Sequence, residues 1–230
     1  MKLAGDLYTR AILASSTDRR VRTAFQAMVA SIVTPGATIL DFGAGTGLDA
    51  QIYAGLGHRV LAYDPDPQMC GAFRQQCRHG LDAGQIELVE CDYRGFIAGG
   101  TLFSQPAALV TANFAPFNLI DDVNELFGRL HALTVPRGRI LLSVLSPLFV
   151  GDIRYRWWWR NLTRLWQQGH FTVGESWTVT RRSAANFALL AAPYFGLAGI
   201  GRGWPGSPLQ RTRRPSLMTS RYMFLLFEKL

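Results

Sequence analysis

Three glycines at alternate positions, Gly43, Gly45 and Gly47, follow the apolar run TILDF and precede LDAQIYAG. A backbone without Cβ atoms bends sharply there and lets a ligand come close. A helix that begins at the end of such a turn offers free N–H groups and partial positive charge. The spacing therefore predicts a strand–loop–helix unit that receives a ligand through an anionic group. Nucleoside triphosphates match poorly, because their loop ends in Gly-Lys-Ser/Thr, whereas Gly47 precedes Leu48 and Asp49. An acid in that cradle would repel phosphate. Dinucleotides match poorly too, since G-x-G-x-x-G places its third glycine one residue later. The D-x-G-x-G-x-G run that starts at Asp41 suits a smaller group bearing a carboxylate and an amine.

Two more carboxylates restrict the rest of the ligand. Asp64 ends the next apolar run, 21 residues after Gly43, where a carboxylate accepts hydrogen bonds from both hydroxyls of a ribose. The following run ends in Asp92-Tyr93, placed to meet an adenine amine and ring edge. The pattern calls for a carboxylate, an amine, a ribose and an adenine, with no phosphate.

Those side chains need elements to hold them. Residues 18–33 place Val21, Phe25, Met28 and Ile32 on one face at helical spacing, with Thr17 or Asp18 as N-cap. Strands are expected at ATILDFG, HRVLAYD, QIELVECD, AALVTANF and RILLSVLS, the last after a PRG turn. Helices are expected at LDAQIYAGLG, DPQMCGAFRQQCRHG and DDVNELFGRLHALT. This alternation predicts a parallel sheet with helices on both faces. After Pro147 the rhythm changes. Residues 152–169 read as a Trp/Arg-rich helix, ESWTVTRR as a strand and SAANFALLAAPYF as a serine-capped helix. GLAGIGR and RYMFLLFEK then read as closing strands around a Pro/Arg loop. No repeat or low-complexity linker divides the chain, so a single domain is expected. It comprises N-terminal helices over 1–35, a cofactor-binding core over 36–147, a cap over 148–180 and a closing helix and strand pair over 181–230.

In their order and intervals, ILDFGAGTG, VLAYDPDPQM, IELVECDY and ANFAPFNLI resemble the successive motifs of class I S-adenosylmethionine-dependent methyltransferases, over residues 38–146. The likeness is closest to the quinone-biosynthesis-like small-molecule group, whose fourth strand often reads Asn-Phe with another Asn a few residues on. It implies an α/β, Rossmann-like, seven-stranded sheet with helices on both faces, the last strand antiparallel, and a helical cap inserted after the fifth strand. It implies S-adenosylmethionine as cofactor, S-adenosylhomocysteine as product, and methyl transfer to an O, N or C nucleophile of a small molecule. By this resemblance Gly43, Gly45 and Gly47 bring backbone groups to the methionine moiety, with Asp41 near its ammonium. Asp64 holds the ribose, Pro65 lies against the adenine, and Asp92 with Tyr93 meets the adenine edge. Asn113 and Phe114 pass beneath the methionine and sulfonium. Phe117, Asn118, Trp158, Arg160 and His170 are the expected acceptor-side residues. Two departures stand out: Phe42 replaces a smaller residue or Leu, and Asn113-Phe114-Ala115-Pro116 is only superficially similar to the Asn-Pro-Pro-Tyr loop of nucleic-acid N-methyltransferases. No catalytic side chain is singled out, because a sulfonium is already an activated electrophile.

Charge divides the chain. Residues 1–150 carry 12 Lys/Arg against 13 Asp/Glu, whereas residues 151–230 carry 12 against 3, a net of +9. All six tryptophans lie in the second part. Trp157-Trp158-Trp159, interleaved with Arg154, Arg156, Arg160 and Arg164, has three readings: a cap on the sheet's carboxyl edge, a lid over an acidic or aromatic acceptor, or a contact with a lipid surface. Nucleic acid is a minor reading, because no base-reading module accompanies these residues. His170 and Glu175 are the candidate proton acceptors, although such residues are more often polar groups of a loop. Two other functions share the motifs: a non-catalytic methyltransferase-like protein that binds a partner, and an enzyme that uses another electrophilic carbon of the cofactor.

A hydrophobic content of 48% supports a real core, and no run reaches the length of a membrane span. The first ten residues lack a secretory apolar region. Cys70, Cys77 and Cys91 form no C-x-x-C pair and read as free thiols, consistent with a cytoplasmic setting. The four histidines lack metal-ligand spacing, so no metal is expected. Asp121, Asp122 and Glu125 suit the start of a helix better than a metal cluster. Oligomeric state is left open.

Overall fold

The computed structural model describes residues 15–174, 178–203, 209 and 219–230. Strands β1 (Thr38–Phe42), β2 (Arg59–Tyr63), β3 (Ile86–Val89), β4 (Ala107–Ala112) and β5 (Thr134–Leu145) are mutually parallel. Strands β6 (His170–Val173) and β7 (Val179–Arg182) pair only with each other, antiparallel. With β8 (Phe195–Arg202) and β9 (Tyr222–Lys229), the main sheet runs β3-β2-β1-β4-β5-β9-β8, and β9 is antiparallel to both neighbours. The seven-stranded architecture is the one the resemblance implies.

The strands carry apolar side chains on both faces, as a sheet covered on both sides requires. One layer joins Ile39, Leu109, Leu141 and Phe224 to helix α1 (Ser16–Ile32), where Phe25 meets Phe224 edge-on at 5.3 Å. The other joins Leu40, Val110, Leu142 and Phe227 to Phe96, Phe127 and Phe187. Those three come from α5 (Tyr93–Ala98), α6 (Val123–Ala132) and α8 (Ala184–Ala191), while α2 (Leu48–Gly55), α3 (Pro67–Gln76), α4 (Arg78–Asp82) and α7 (Arg156–Gln168) complete the described helices. Each fully buried side chain of this size contributes about 1.5–3 kcal/mol relative to exposure.

Several boundaries differ from the sequence reading. The N-cap of α1 is Ser15, whose Oγ accepts from Asp18 N at 3.2 Å, rather than Thr17 or Asp18. Val21 and Phe25 are buried as expected, but Ala24 and Val29 share the buried face while Met28 and Ile32 lie at its edge. The helix expected to stop at Gly80 breaks at Cys77, and Gly80 lies within α4, where a Cβ would stand 2.5 Å from Ile86. The PRG turn is part of β5, whose register against β4 shifts at Ala107/Leu109, with Arg137 left-handed at φ 61°. Asp122 caps α6 by accepting from Glu125 N at 2.9 Å, which is the helix-start role expected for that acidic group. Strand β6 was not foreseen. Glu175, Trp177, Trp204, most of the Pro/Arg loop and residues 1–14 lie outside the described residues. Among the described residues, no helix is long and apolar enough to cross a membrane.

Candidate active site

The glycine loop leaves the carboxyl end of β1 and enters α2. Gly43 N and Ala44 N donate to Tyr63 O at 2.8 and 3.0 Å, and Gly45 N donates to Asp64 Oδ2 at 2.8 Å. Asp64 also accepts from Asp66 N at 2.9 Å, so one buried carboxylate ties the exits of β1 and β2 together. All three glycines are left-handed, at φ 73°, 57° and 86°, where other residues are strained. Their surroundings separate their uses. A Cβ at Gly43 would stand 2.8 Å from Pro116, and one at Gly47 would stand 2.6 Å from Cys77 Sγ and 2.9 Å from Phe73. At Gly45 nothing lies within 4 Å. Gly43 and Gly47 therefore serve internal packing, and Gly45 faces open space.

Cys70 and Cys77 back these loops from α3 and its C-cap. Their thiols donate to Asp64 O at 3.3 Å and Gly47 O at 3.4 Å, and burial pushes both up to about 12. They are inert packing groups with a weak donor.

Beneath the loop lies a cleft with two buried carboxylates. Asp41 accepts from Thr111 Oγ1 at 3.0 Å, while its Oδ2 is buried without a hydrogen-bond partner. Asp49, in the first turn of α2, is ion-paired to Arg22 and accepts from Gln26 Nε2 at 2.7 Å and Asn113 Nδ2 at 3.1 Å. Arg22 reaches in from α1, its guanidinium 4.7 Å from the centre of the Phe114 ring, and its Nε is a buried donor without a partner. Burial pushes the Asp41 carboxyl up to about 8, the charge of Asp49 adds to this, and Thr111 and Arg22 oppose it. The folded chain therefore favours the protonated form of Asp41. The cleft holds two acids against one cation.

The exit of β4 closes the cleft. Asn113 is buried and its Oδ1 accepts from Phe114 N at 2.9 Å. Phe114 and Ala115 are both left-handed, at φ 59° and 67°, two consecutive non-glycine residues in a region that costs about 1–3 kcal/mol each. Ala115 N donates to Ser143 O at 2.8 Å, and Pro116 begins a short 3-10 turn, Pro116–Leu119. That reversal sends the next two side chains inward. Phe117 is fully buried against Phe42 and Phe127, and Asn118 donates to Thr180 O at 2.8 Å and accepts from Leu145 N at 3.0 Å. Both of these expected acceptor-side residues are thus engaged inside the fold.

The remaining expected residues are spread over a wider area. Pro65 and Asp92 are exposed at the carboxyl ends of β2 and β3, and Asp92 caps α5 by accepting from Gly95 N at 2.7 Å. Tyr93 is half-buried, with a buried hydroxyl that lacks a partner. In the cap, Trp158 is packed inside against Trp159, Arg160 is exposed, and His170 Nδ1 lies 3.1 Å from Gln168 O. None of these three lines the cleft beneath the glycine loop, so the structure does not join them to it. The cap is nevertheless fastened to the β4 exit. Asn118 donates to Thr180 O, and Arg182 beside it donates to Ile120 O and Asp121 O, each at 3.0 Å, while Arg181 ties β7 to Asp152 at 2.6 Å.

Sequence reasoning missed Arg22, Gln26 and Thr111, and took Asp49 only as an argument against phosphate. Arg22 and Gln26 stand at i and i+4 beside the apolar stripe of α1, a spacing that puts both on one face. That was the available signal.

The family model of the methyltransferase domain matches residues 13–191. The chain belongs to that family. It is a class I S-adenosylmethionine-dependent methyltransferase, and S-adenosylmethionine is its cofactor. No curated protein is similar enough in sequence to count as a relative. Solved structures share its fold at low identity. A TehB-like S-adenosylmethionine-dependent methyltransferase from Corynebacterium glutamicum is 16% identical, with TM-score 0.63 and coverage of 98% of both chains. The CcbJ methyltransferase from Streptomyces caelestis is 17% identical, with TM-score 0.63, covering 95% of this chain and 92% of that one. A 1,6-didemethyltoxoflavin-N1-methyltransferase from Burkholderia thailandensis is 19% identical, with TM-score 0.60, covering 100% and 92%.

Proposed function

We propose that the chain methylates an O, N or C nucleophile of a small hydrophobic or aromatic molecule that carries an anionic group. One observation carries the cofactor half of this reading: the cleft contains both an orphaned acceptor, Asp41 Oδ2, and an orphaned donor, Arg22 Nε. An amino-acid end has an ammonium and a carboxylate to match them. On this reading Asp41 takes the ammonium, Arg22 and the loop backbone take the carboxylate, and the open side of Gly45 admits both. Asp64, which accepts from Gly45 N and Asp66 N at the exits of β1 and β2, is assigned to the ribose hydroxyls. Exposed Pro65, with Asp92 and Tyr93, is left for the adenine. Asn113 and Phe114 form the floor below the sulfonium.

When bound, the cofactor supplies a methyl group already activated for nucleophilic attack. The residues contribute placement and exclusion of water. Good orientation is worth on the order of 7–11 kcal/mol. An acceptor that arrives deprotonated needs no general base, which suits an anionic acceptor.

The acceptor half rests on the +9 net charge of residues 151–230, which raises the encounter rate of anionic ligands in a salt-dependent way. We read residues 36–147 as the cofactor half and the cap over 148–180 as the acceptor half of a single unit. The 1,6-didemethyltoxoflavin bound to the Burkholderia enzyme supports a small-molecule acceptor by analogy of fold. The quinone-biosynthesis-like subgroup retains only Asn113-Phe114 in its support, because Asn118 holds the cap's backbone. The test is a competition screen of acidic, neutral and cationic acceptors, read by S-adenosylhomocysteine release at low and high salt. Acidic aromatic acceptors should win, with a KM that rises with salt. Preference for neutral or cationic acceptors without salt dependence would overturn the acceptor class.

A further inference from the structure

The outer face of α7 has no use in the site described above. Its inner side is accounted for: Trp158 and Asn161 are buried, and Trp157 packs on Phe171 at 6.1 Å with the Arg181 guanidinium 5.0 Å from its ring centre. On the outer side Trp166 is 93% exposed and Trp159 57% exposed. Trp166 stands in water, and Trp159 exposes one side of a ring that packs on Trp158 and donates its Nε1 to Ile153 O at 2.7 Å; large exposed apolar groups mark a contact surface when they cluster. They do cluster. Seven residues apart, they lie two turns from each other on the same stripe. Arg156, Arg160 and Arg164 are spaced i, i+4, i+8; they start beside that stripe at Arg156 and turn away from it round the solvent side of the helix, and all three are exposed. No acidic residue occurs between Asp152 and Glu175, and Asp152 is already paired with Arg181.

We propose that α7 docks this protein on an anionic lipid surface, its axis parallel to the membrane plane. Trp159 and Trp166 would sit at headgroup level, and Arg156, Arg160 and Arg164 would face the phosphates. The Trp166 indole favours that depth because one end is apolar and the other a donor, and Trp159 adds the exposed apolar side of its ring. Arginines there gain from the negative surface potential of the leaflet. The charge disfavours two other occupants of the face. A second copy docked by two-fold symmetry would bring the same arginines opposite each other. Single-stranded nucleic acid is tracked by a groove, whereas this face is one convex helix. The proposal is independent of the acceptor class, since vesicle binding can hold or fail whatever is methylated.

Flotation of the whole chain with vesicles tests it, using phosphatidylcholine alone and phosphatidylcholine with about 30% phosphatidylglycerol. The protein should float with the anionic vesicles only, and raised salt should release it. Trp166→Ala should lower partition about tenfold, as expected when roughly a third of an indole surface is no longer taken out of water. Arg156→Gln with Arg164→Gln should lower it roughly 25-fold, about fivefold for each arginine. All three positions are exposed, so S-adenosylhomocysteine affinity and thermal midpoint should stay at wild-type values, which separates docking from misfolding. Absence of wild-type flotation, or unchanged partition in both variants, overturns the proposal. Binding of single-stranded DNA without vesicle binding also overturns it and reassigns the face. Self-association abolished by Trp166→Ala, again without vesicle binding, does the same.

Discussion

In the cleft beneath the glycine loop, Asp41, Asp49 and Asn113 are buried and held by named partners, while Arg154, Arg156, Arg160 and Arg164 of the cap stand in solvent. The two regions meet at the β4 exit, where Asn118 and Arg182 bind the cap's backbone and the loop's carbonyls. A buried polar group is strengthened by low dielectric and is costly to strand, so each change in the cleft has a large and local effect. An exposed charge acts through a screened field and contributes little to stability. On the proposed function the cleft serves the chemistry common to the family, and the cap sets what the enzyme meets.

The sharpest contrast lies within the cleft's own loop. Gly47→Ala combines left-handed strain with a collision against Cys77 and Phe73, and should destabilise the fold by about 3 kcal/mol or more. Gly45→Ala has the strain alone, about 1–2 kcal/mol, but fills the open side and should weaken S-adenosylhomocysteine binding by about tenfold or more. Thermal unfolding and calorimetry separate the two effects. Equal loss of stability would show that the open side has been misassigned.

Arginine substitutions compare the regions directly. Arg22→Ala strands Asp49 beside Asp41 and should cost about 2–4 kcal/mol in denaturant unfolding, together with most of the cofactor affinity. Arg160→Ala should stay within about 0.5 kcal/mol of wild type and leave cofactor affinity unchanged. Similar losses for both would erase the distinction.

A pH-dependent effect follows from Asp41. Burial and the neighbouring Asp49 hold its folded carboxyl up at about 8, whereas in the unfolded chain it ionises near 3.8. Between those values the folded state binds the extra proton, so this group's contribution to stability falls as pH rises and levels off above about 8. Asp41→Asn should remove that slope. Its advantage in thermal midpoint should be small at about pH 5 and larger at about pH 8. A constant difference across that window would show that Asp41 does not carry the proton.

The sheet and the glycine loop were legible because their signals are local. Gly43 and Gly47 mark backbone positions that no side chain could occupy, and Asp64 ends a strand whose alternation with helices is written in short apolar runs. The clamp from α1 was not legible in that way. Arg22 meets Asp49 across 27 positions, and Thr111 meets Asp41 across 70, so no window of sequence contains either pair. The internal placement of Phe117 and Asn118 was not legible for a different reason. The left-handed Ala115 turns the chain, and nothing about an alanine announces a positive φ. Strand β6 escaped because its four residues carry only one buried side chain, Phe171, behind a helix with a stronger pattern.

The central claim is that the cleft beneath Gly45 holds the amino-acid end of S-adenosylmethionine, with Asp41 exchanging a proton for its ammonium. Titration calorimetry with S-adenosylhomocysteine tests this most directly, run at about pH 7 in two buffers of different ionisation enthalpy. The account predicts binding in the low-micromolar range or tighter, with a proton released from Asp41 to the buffer in wild type and none in Asp41→Asn. No binding at about millimolar ligand, or binding with the same proton balance in both proteins, would contradict it.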